Sequence, residues 1–410
     1  MNCVYLFEDA QWTHLLPMTR LRAAHELRLG ARSLWQEWQR IFKNAQLMMD
    51  LRPLLRAVML ERYPDLRSGE GPPFETACLW INGRALPFNE TVALADEMDI
   101  NTAITTRGQL VLAKLDAQSS TGFYQRLNQS RDFDSLSQIN GIAMQERPLA
   151  LLEHPWDLLR YHLQLFREQG QRAAAELGRL LGQVHRKAEL VNAGQMHIGP
   201  GTVIQPYAVL DASEGPIWIG PHCEIEPAAY LKGPVAVADH NRVRSHAQLR
   251  PGTSLGPHTK AGGEISHAIF AGYSNKAHGG FVGDSYVGAW VNLGAGTITS
   301  NLKNNYGNIR LDLAGSTVDT GLQLFGSIIG DYGKTGIGTL LNAGTILGIF
   351  CNVFGGGLCA KYMPNFSWGK ASTRYRLEDA LEMVKKMMKR RDMNLSAAEE
   401  LLIRRCYEES

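Results

Sequence analysis

Histidine opens the question of chemistry, because neutral imidazole is both a metal ligand and a base that titrates near neutrality. His222, His240 and His258 stand eighteen residues apart, with His246 between the last two. Zinc takes three protein ligands and leaves a fourth position open in catalytic sites, so three evenly spaced rings offer a metal site. Histidines at outward corners need no metal, and that is the plainer reading. His278 lies apart, in the run NKAHGG, and taken alone it reads as an exposed turn histidine. Arg20, Arg22, Arg28 and Arg32 make one basic segment near the start. Six cysteines (Cys3, Cys78, Cys223, Cys351, Cys359 and Cys406) form no Cys-x-x-Cys pair, so reduced, mostly packed thiols are expected.

What must position these groups is written in a period of six. From Ile219 to Ser266 the chain divides into hexads beginning at Ile219, Ile225, Leu231, Val237, Val243, Leu249, Leu255 and Ala261. A helix turns about 100° per residue and would scatter these side chains around its surface, and a long strand would show period two. Short strands that turn a corner after every hexad put each first residue inside, which is the signature of a parallel β-helix. Three hexads make one coil. Ile219, Val237 and Leu255 then form one interior ladder, and Ile225, Val243 and Ala261 the next. The phase is the same at Ile198, Ile204 and Leu210, at Val287 and Leu293, and from Ile329 through Thr335, Leu341 and Leu347 to Val353. Gly220, Gly256, Gly262, Gly288, Gly294, Gly330 and Gly348 occupy second positions, where a tight corner favours a residue without Cβ.

At 410 residues more than one core is expected. A net charge of +2 with 20% charged residues argues against nucleic acid or a membrane surface as the main partner. No apolar run is long enough to cross a bilayer, and Glu8 and Asp9 interrupt the start too early for a signal peptide, so a cytoplasmic location is expected. Val4 to Phe7, Ala77 to Ile81 (closed by the Asn82-Gly83 turn) and Val111 to Leu115 read as strands of an α/β domain over residues 1–150. The apolar spacing from Trp156 to Val184 predicts a helical arm, which Gly170 would kink or fray. Leu377, Ala380, Leu381, Val384, Met387 and Met388 mark an amphipathic helix, and Ser396 to Glu399 fits a capping box for another. Lys385, Lys386, Lys389, Arg390 and Arg391 read as a solvated face.

The run GYSNKAHGGFVGDSYVGAWVNLGAGTITSN, from Gly272 to Asn301, resembles the acetyltransferase half of the bifunctional family that joins glucosamine-1-phosphate acetyltransferase to N-acetylglucosamine-1-phosphate uridylyltransferase. The opening YLFEDAQWTHLLPMTRLRAAHELRLG, the INGRALP at Ile81 to Pro87 and the LKNNYGNIRL at Leu302 to Leu311 are similar to a divergent sugar nucleotidyltransferase branch of that family. The resemblance implies an α/β nucleotidyltransferase-like domain at 1–150, a helical linker at 151–190, a left-handed parallel β-helix acyltransferase domain at 191–370 and C-terminal helices at 371–410. It implies acetyl-coenzyme A and Mg2+ as cofactors, a sugar phosphate and a nucleotide as small-molecule partners, and a homotrimer with sites between neighbouring prisms.

Residue by residue, the resemblance makes His278 the base that takes the amine proton, a step worth roughly two to four orders of magnitude in rate. Glu264 matches a carboxylate that orients the ring, and Asn292 a sugar-contacting asparagine. Ala295 matches the position whose backbone N–H faces the thioester carbonyl, where fixed donors stabilise an oxyanion. Arg250 matches the clamp on the sugar phosphate. Asn301 and Ala343 match cofactor contacts, and Ser327 joins them by spacing alone. A phosphate-binding lysine of the family falls at Ser266 and a tyrosine at Phe281, so Lys276 or Lys303 is left to restore the charge. In the first domain Glu8 to Thr13 lacks the family's glycine-rich phosphate loop. Arg20, Arg22 and Arg28 are left to hold phosphate, and Asn82 and Arg84 to contact sugar or base, unless the domain has kept its fold and lost the transfer. Two other readings stand beside this one: a zinc enzyme like the trimeric β-helix carbonic anhydrases, using the stacked histidines, and a non-catalytic trimeric scaffold.

Overall fold

The computed structural model describes residues 2–63, 67–68, 74–129, 131, 141–313 and 316–410, and the chain forms two compact units. The first comprises Met1–Leu27, Ser33–Pro155 and Leu395–Arg405; the second comprises Arg28–Arg32, Trp156–Asn394 and Cys406–Ser410.

The first unit is built on β1 (Cys3–Phe7), β2 (Gln46–Met49), β3 (Arg67–Ser68), β4 (Cys78–Asn82), β5 (Thr102–Thr106), β6 (Gln109–Leu115) and β7 (Ala143–Glu146), in the spatial order β3-β2-β1-β4-β6-β5-β7. The three strands expected from sequence are β1, β4 and β6. β1 lies parallel to β2 and β4, while β6 runs antiparallel to β4 and β5. Central parallel strands are covered on both faces, which is why VYLF and CLWIN are buried without alternation. Helices α1 (Leu34–Ile41), α2 (Pro53–Arg62), α3 (Asn89–Glu97) and α4 (Ala117–Gln129) belong to this unit. Tyr5 stacks on Trp80 at 4.3 Å, and Phe123 meets the same indole edge-on at 4.8 Å. Cys3 and Cys78 are register partners on β1 and β4 and form a disulfide, with Cα atoms 4.8 Å apart. Reduced thiols are therefore found only at Cys223, Cys351, Cys359 and Cys406.

The second unit is a parallel β-solenoid with two long ladders, of eleven and nine strands, and two shorter ones, of six and three. Ile219, Val237 and Leu255 pair in register, as do Ile225, Val243 and Ala261, and all six are buried to 1% exposure or less. Each such Ile, Leu or Val side chain removed from water is worth roughly 1.5–3 kcal/mol, and stacking joins them into one core. The hexad count slips after Ala261. Leu255 pairs with Phe270, fifteen residues on; Phe270 pairs with Val287, seventeen on; and Val287 pairs with Ile329 across an insertion. Second-position glycines are needed for clearance rather than for backbone freedom, since a Cβ at Gly256 would sit 2.3 Å from the Ala271 carbonyl oxygen of the next coil.

The left-handed residue of one edge is an aromatic ring in coil after coil. His222, His240, His258, Tyr273, Trp290, Tyr332, Phe350 and Phe366 all have φ between 53° and 63°. Bulky side chains rarely take that conformation, and here their rings stack face to face at centroid distances from 4.4 to 6.5 Å. Stacked pairs contribute about 0.5–1.5 kcal/mol each beyond their buried area, which offsets the backbone cost.

The predicted arm is a shorter helix, α5 (Asp157–Arg172), that runs through Gly170 without a break. Gly170 serves packing: a Cβ there would meet Pro216 at 3.2 Å and Trp218 at 3.4 Å, and Phe166 stacks on Trp218 at 5.6 Å. Leu181 and Val184, assigned to the helix from their spacing, lie beyond it, Val184 in the first rung Gln183–Val184. Helices α6 (Leu377–Lys389) and α7 (Ala397–Glu408) follow the predicted pattern, with the Glu399 N–H donating to Ser396 Oγ at 3.0 Å. Arg391 leaves the expected solvated face to donate to the His258 carbonyl at 2.9 Å. Among the described residues no helix is long and apolar enough to cross a membrane.

Candidate functional site

Three of the expected residues, His278, Asn292 and Ala295, lie on or beside two neighbouring corners of the solenoid. The strand Asn275–Lys276 ends in a corner carrying His278, Gly279 and Gly280, and the next coil repeats the path as Asn292–Leu293 followed by Gly294, Ala295 and Gly296. The Gly296 N–H donates to the Gly279 carbonyl at 2.9 Å, so the His278 and Ala295 corners are direct neighbours. His278 and Asn292 are exposed, and Ala295 is half-buried. The Ala295 carbonyl accepts from the Gly338 N–H at 2.8 Å, while among the described residues no acceptor takes the Ala295 N–H. An exposed imidazole beside an unspent backbone donor is the pairing that acyl transfer uses, a base for the nucleophile and a donor for the developing oxyanion.

Glu264 starts the strand Glu264–Ser266, which follows the preceding corner and pairs with Phe281–Gly283. Its carboxylate lies 3.4 Å from Arg250 Nε, so it pairs with the predicted phosphate clamp rather than with His278. Arg250 also donates to Gln248 Oε1 at 2.6 Å and stands 5.5 Å over the Tyr230 ring. Both side chains of the Arg250–Glu264 pair keep about two fifths of their surface exposed (37% and 43%), which leaves the guanidinium able to meet an anion.

Three expected contacts, Lys276, Ser327 and Lys303, are placed elsewhere. Lys276 is not a surface cation: its side chain is fully buried on an interior ladder, opposite Ala261, with Nζ donating to the Gly262 and His278 carbonyls at 3.2 and 2.5 Å. Ser327 is likewise fully buried, its N–H donating to Ser285 Oγ at 2.9 Å, so its side chain faces no cofactor. Lys303 lies in the insertion and donates to the Asn308 carbonyl. Ala343, 6% exposed, precedes Gly344, whose N–H donates to the Gly326 carbonyl at 2.7 Å.

Asn301 belongs to a polar column that sequence reasoning missed. Its Nδ2 donates to Asp284 Oδ2 at 2.5 Å, and Asp284 Oδ1 meets His267 Nδ1 at 2.6 Å. His267, Asp284 and Asn301 are seventeen residues apart, the coil length in this stretch, so the spacing was the available signal. The histidines proposed for zinc are accounted for by stacking: His222, His240 and His258 lie at 5.0 and 4.8 Å in the ring column, and His246 is outside it. Among the described residues no group of three His, Cys, Asp or Glu could hold a metal ion.

In the first unit the carboxyl ends of β1, β2 and β4, where α/β sheets receive ligands, are closed by ion pairs. Arg84 is 1% exposed and donates to Asp9 at 2.9 and 2.5 Å, to Gln109 Oε1 at 2.7 Å and to the Leu152 carbonyl at 2.8 Å. Asn82 is fully buried, donating to Asp9 and to the Leu110 carbonyl, each at 2.8 Å. Both predicted sugar or base contacts are therefore structural, spent on Asp9. Arg52 holds Glu8 at 2.9 Å and Arg131 holds Asp50 at 2.7 Å, while burial pushes both carboxyls above their usual range. Arg22 is buried and Arg20 half-buried. Arg28 belongs to the second unit and is spent there, its Nε donating to Ser254 Oγ at 2.8 Å.

A sequence model described as sugar nucleotidyl transferase matches residues 4–176. Bifunctional protein GlmU of Cupriavidus pinatubonensis is 36% identical over 110 residues, 26% of this chain and 23% of that protein. Its counterpart in Ralstonia nicotianae is 36% identical over 160 residues, 38% of this chain and 32% of that protein. The bifunctional sugar-1-phosphate nucleotidylyltransferase/acetyltransferase of Sulfurisphaera tokodaii is 28% identical over 145 residues, 35% of this chain and 36% of that protein. The chain thus spans between about a quarter and a third of the length of these relatives.

Proposed function

We propose that the chain is a transferase whose solenoid moves the acetyl group of acetyl-coenzyme A to the amine of an amino-sugar phosphate of the glucosamine-1-phosphate type. The observation that carries this reading is the adjacency of the His278 and Ala295 corners, with the Ala295 N–H unspent. The substrate amine attacks the thioester carbonyl as His278 takes its proton; the carbon–sulfur bond breaks, and coenzyme A leaves as the thiol. Arg250 meets the sugar phosphate, Asn292 the sugar, and Ala343 and Asn301 line the wall for the cofactor. Prisms associate as a homotrimer with the sites at their seams, a reading supported by the outward apolar ladder Ile298, Leu340 and Leu358, in register on successive coils and at least 40% exposed.

The match to the sugar nucleotidyl transferase model over residues 4–176 supports uridylyl transfer to the acetylated sugar phosphate. Magnesium requires free oxygen ligands, and the Glu8, Asp9 and Asp50 carboxylates are paired with arginines, so these three described carboxylates do not fit a resident metal. A second reading, favoured by Asn82 and Arg84 being spent on Asp9, is that the first unit keeps the fold without the transfer.

Two assays on one preparation separate these readings. Thiol release from acetyl-coenzyme A with glucosamine-1-phosphate should be measurable and should fall by about two to four orders of magnitude in His278→Ala. Pyrophosphate release from UTP with N-acetylglucosamine-1-phosphate decides between transfer and its loss. No thiol release with glucosamine-1-phosphate or with other amino sugars would overturn the acetyltransferase reading.

A further inference from the structure

Lys276 occupies a position that elsewhere on its ladder is filled by Ile204, Ile225, Val243 and Ala261. Its side chain is fully buried. Nζ reaches into the edge from within, donating to the carbonyls of Gly262 and His278, which belong to consecutive corners. The space around it is kept by glycine, since a Cβ at Gly263 or Gly280 would come within 3.1 or 3.3 Å of Nζ. Burial alone shifts the amine, down to about 8, and no carboxylate opposes it. An ammonium held only by carbonyls is costly compared with an apolar residue of the same volume. The solenoid's ladders do not require it, so its effect is to be sought in the corner it grips.

We propose that Lys276 is a positioning residue for the acyl-transfer site: from inside the prism it ties the Gly262 and His278 carbonyls and so fixes the corner that presents the His278 imidazole. The constraint extends one coil further, because Gly279 in the same corner accepts the Gly296 N–H, next to Ala295. Base and oxyanion donor are then held in one register by a side chain that touches neither substrate. A misplacement of about 1 Å costs on the order of 100-fold in rate, which is the scale at which the clamp matters. The inference rests on the reading of His278 as the base.

The test uses the full chain with Lys276→Met, which keeps length and volume and removes the donors. Removing a buried ammonium that no carboxylate neutralises offsets the loss of its bonds to the two carbonyls, so the melting temperature should stay close to that of the wild type. Amide exchange at 277–280 and 294–297 should quicken about tenfold or more, while the rest of the solenoid stays protected. The kcat for acetyl transfer should fall about 10- to 100-fold with KM for acetyl-coenzyme A and acceptor within about threefold, the signature of lost transition-state alignment. Lys276→Gln, which retains an amide donor, should recover part of both and carries the comparison should the methionine variant not fold. Unchanged corner exchange in a folded variant overturns the clamp whatever the activity. Faster exchange throughout, with a lowered melting temperature, overturns positioning in favour of a general structural role. A wild-type protein without acetyl transfer but with the corner-specific exchange change overturns the assignment of His278 and leaves the clamp standing.

Discussion

Arg84 separates a ligand-binding first unit from a self-sealed one most cleanly. Its guanidinium is 1% exposed and makes two bonds to Asp9, one to Gln109 and one to the Leu152 carbonyl. Arg84→Met strands the Asp9 carboxylate, itself 3% exposed, with Asn82 as its remaining donor. Removing one partner of such a buried pair costs about 3–5 kcal/mol. In a unit of this size each kcal/mol moves the melting point roughly 2–4 °C, so the transition of the first unit should fall by about 6–20 °C, read by calorimetry without ligand. In Arg84→Met with Asp9→Asn the stranded charge is gone. The double variant should therefore be more stable than the sum of the singles by about 0.5–3 kcal/mol. A nucleotide-binding arginine behaves oppositely: its loss weakens nucleotide binding and leaves the ligand-free melting point alone. A shift under about 2 °C, or strict additivity in the cycle, would refute the structural assignment.

Two further outcomes follow from the same geometry. His25 is fully buried and burial holds its pKa down to about 3, so between pH 6.5 and 3 the unfolded chain binds a proton that the folded one refuses. Stability contributed by its neutral form is complete above 6.5 and falls by about 1.4 kcal/mol per unit below it, roughly 3 kcal/mol by pH 4.5; urea midpoints against pH should lose that slope in His25→Leu. Gly256→Ala places a methyl 2.3 Å from the Ala271 carbonyl oxygen and should cost about 1–3 kcal/mol or more, whereas Gly279→Ala meets nothing within 4 Å and should stay within about 0.5 kcal/mol; matching melting points for the two would count against coil contact as the reason for the glycines.

The interior of the prism was legible because the first side chain of every hexad must point inward, and Ile219, Val237 and Leu255 need only that count. It stopped being legible at Gly262, where Ile265 replaces His267 as the buried residue and the coil shortens, a change fixed by corner geometry rather than by hydrophobic pattern. Lys276 was misread for the same reason, since a lysine at an inward position looks like surface charge until the shifted register is known. Asn82 and Arg84 looked available because their partner Asp9 lies 73 and 75 residues away. The Cys3–Cys78 pairing was hidden likewise, being visible only once β1 and β4 are known to be adjacent. His278, Asn292 and Ala295 came from the resemblance alone; the sequence does not show that the His278 and Ala295 corners are direct neighbours, which appears only once the coils are stacked.

The ring column sets how this chain can be lengthened. Trp290 and Tyr332 are forty-two residues apart because the polypeptide leaves the prism and returns between them, yet their planes differ by only 3° and the gap widens only to 6.5 Å. The edge bearing the rings stays continuous while the extra length is extruded elsewhere, at a loop where Tyr306 is 67% exposed. Cargo spliced into that loop, such as a fluorescent reporter or a targeting peptide, should leave the pitch of the tube intact, whereas an equal insertion between two rings would interrupt the stack itself.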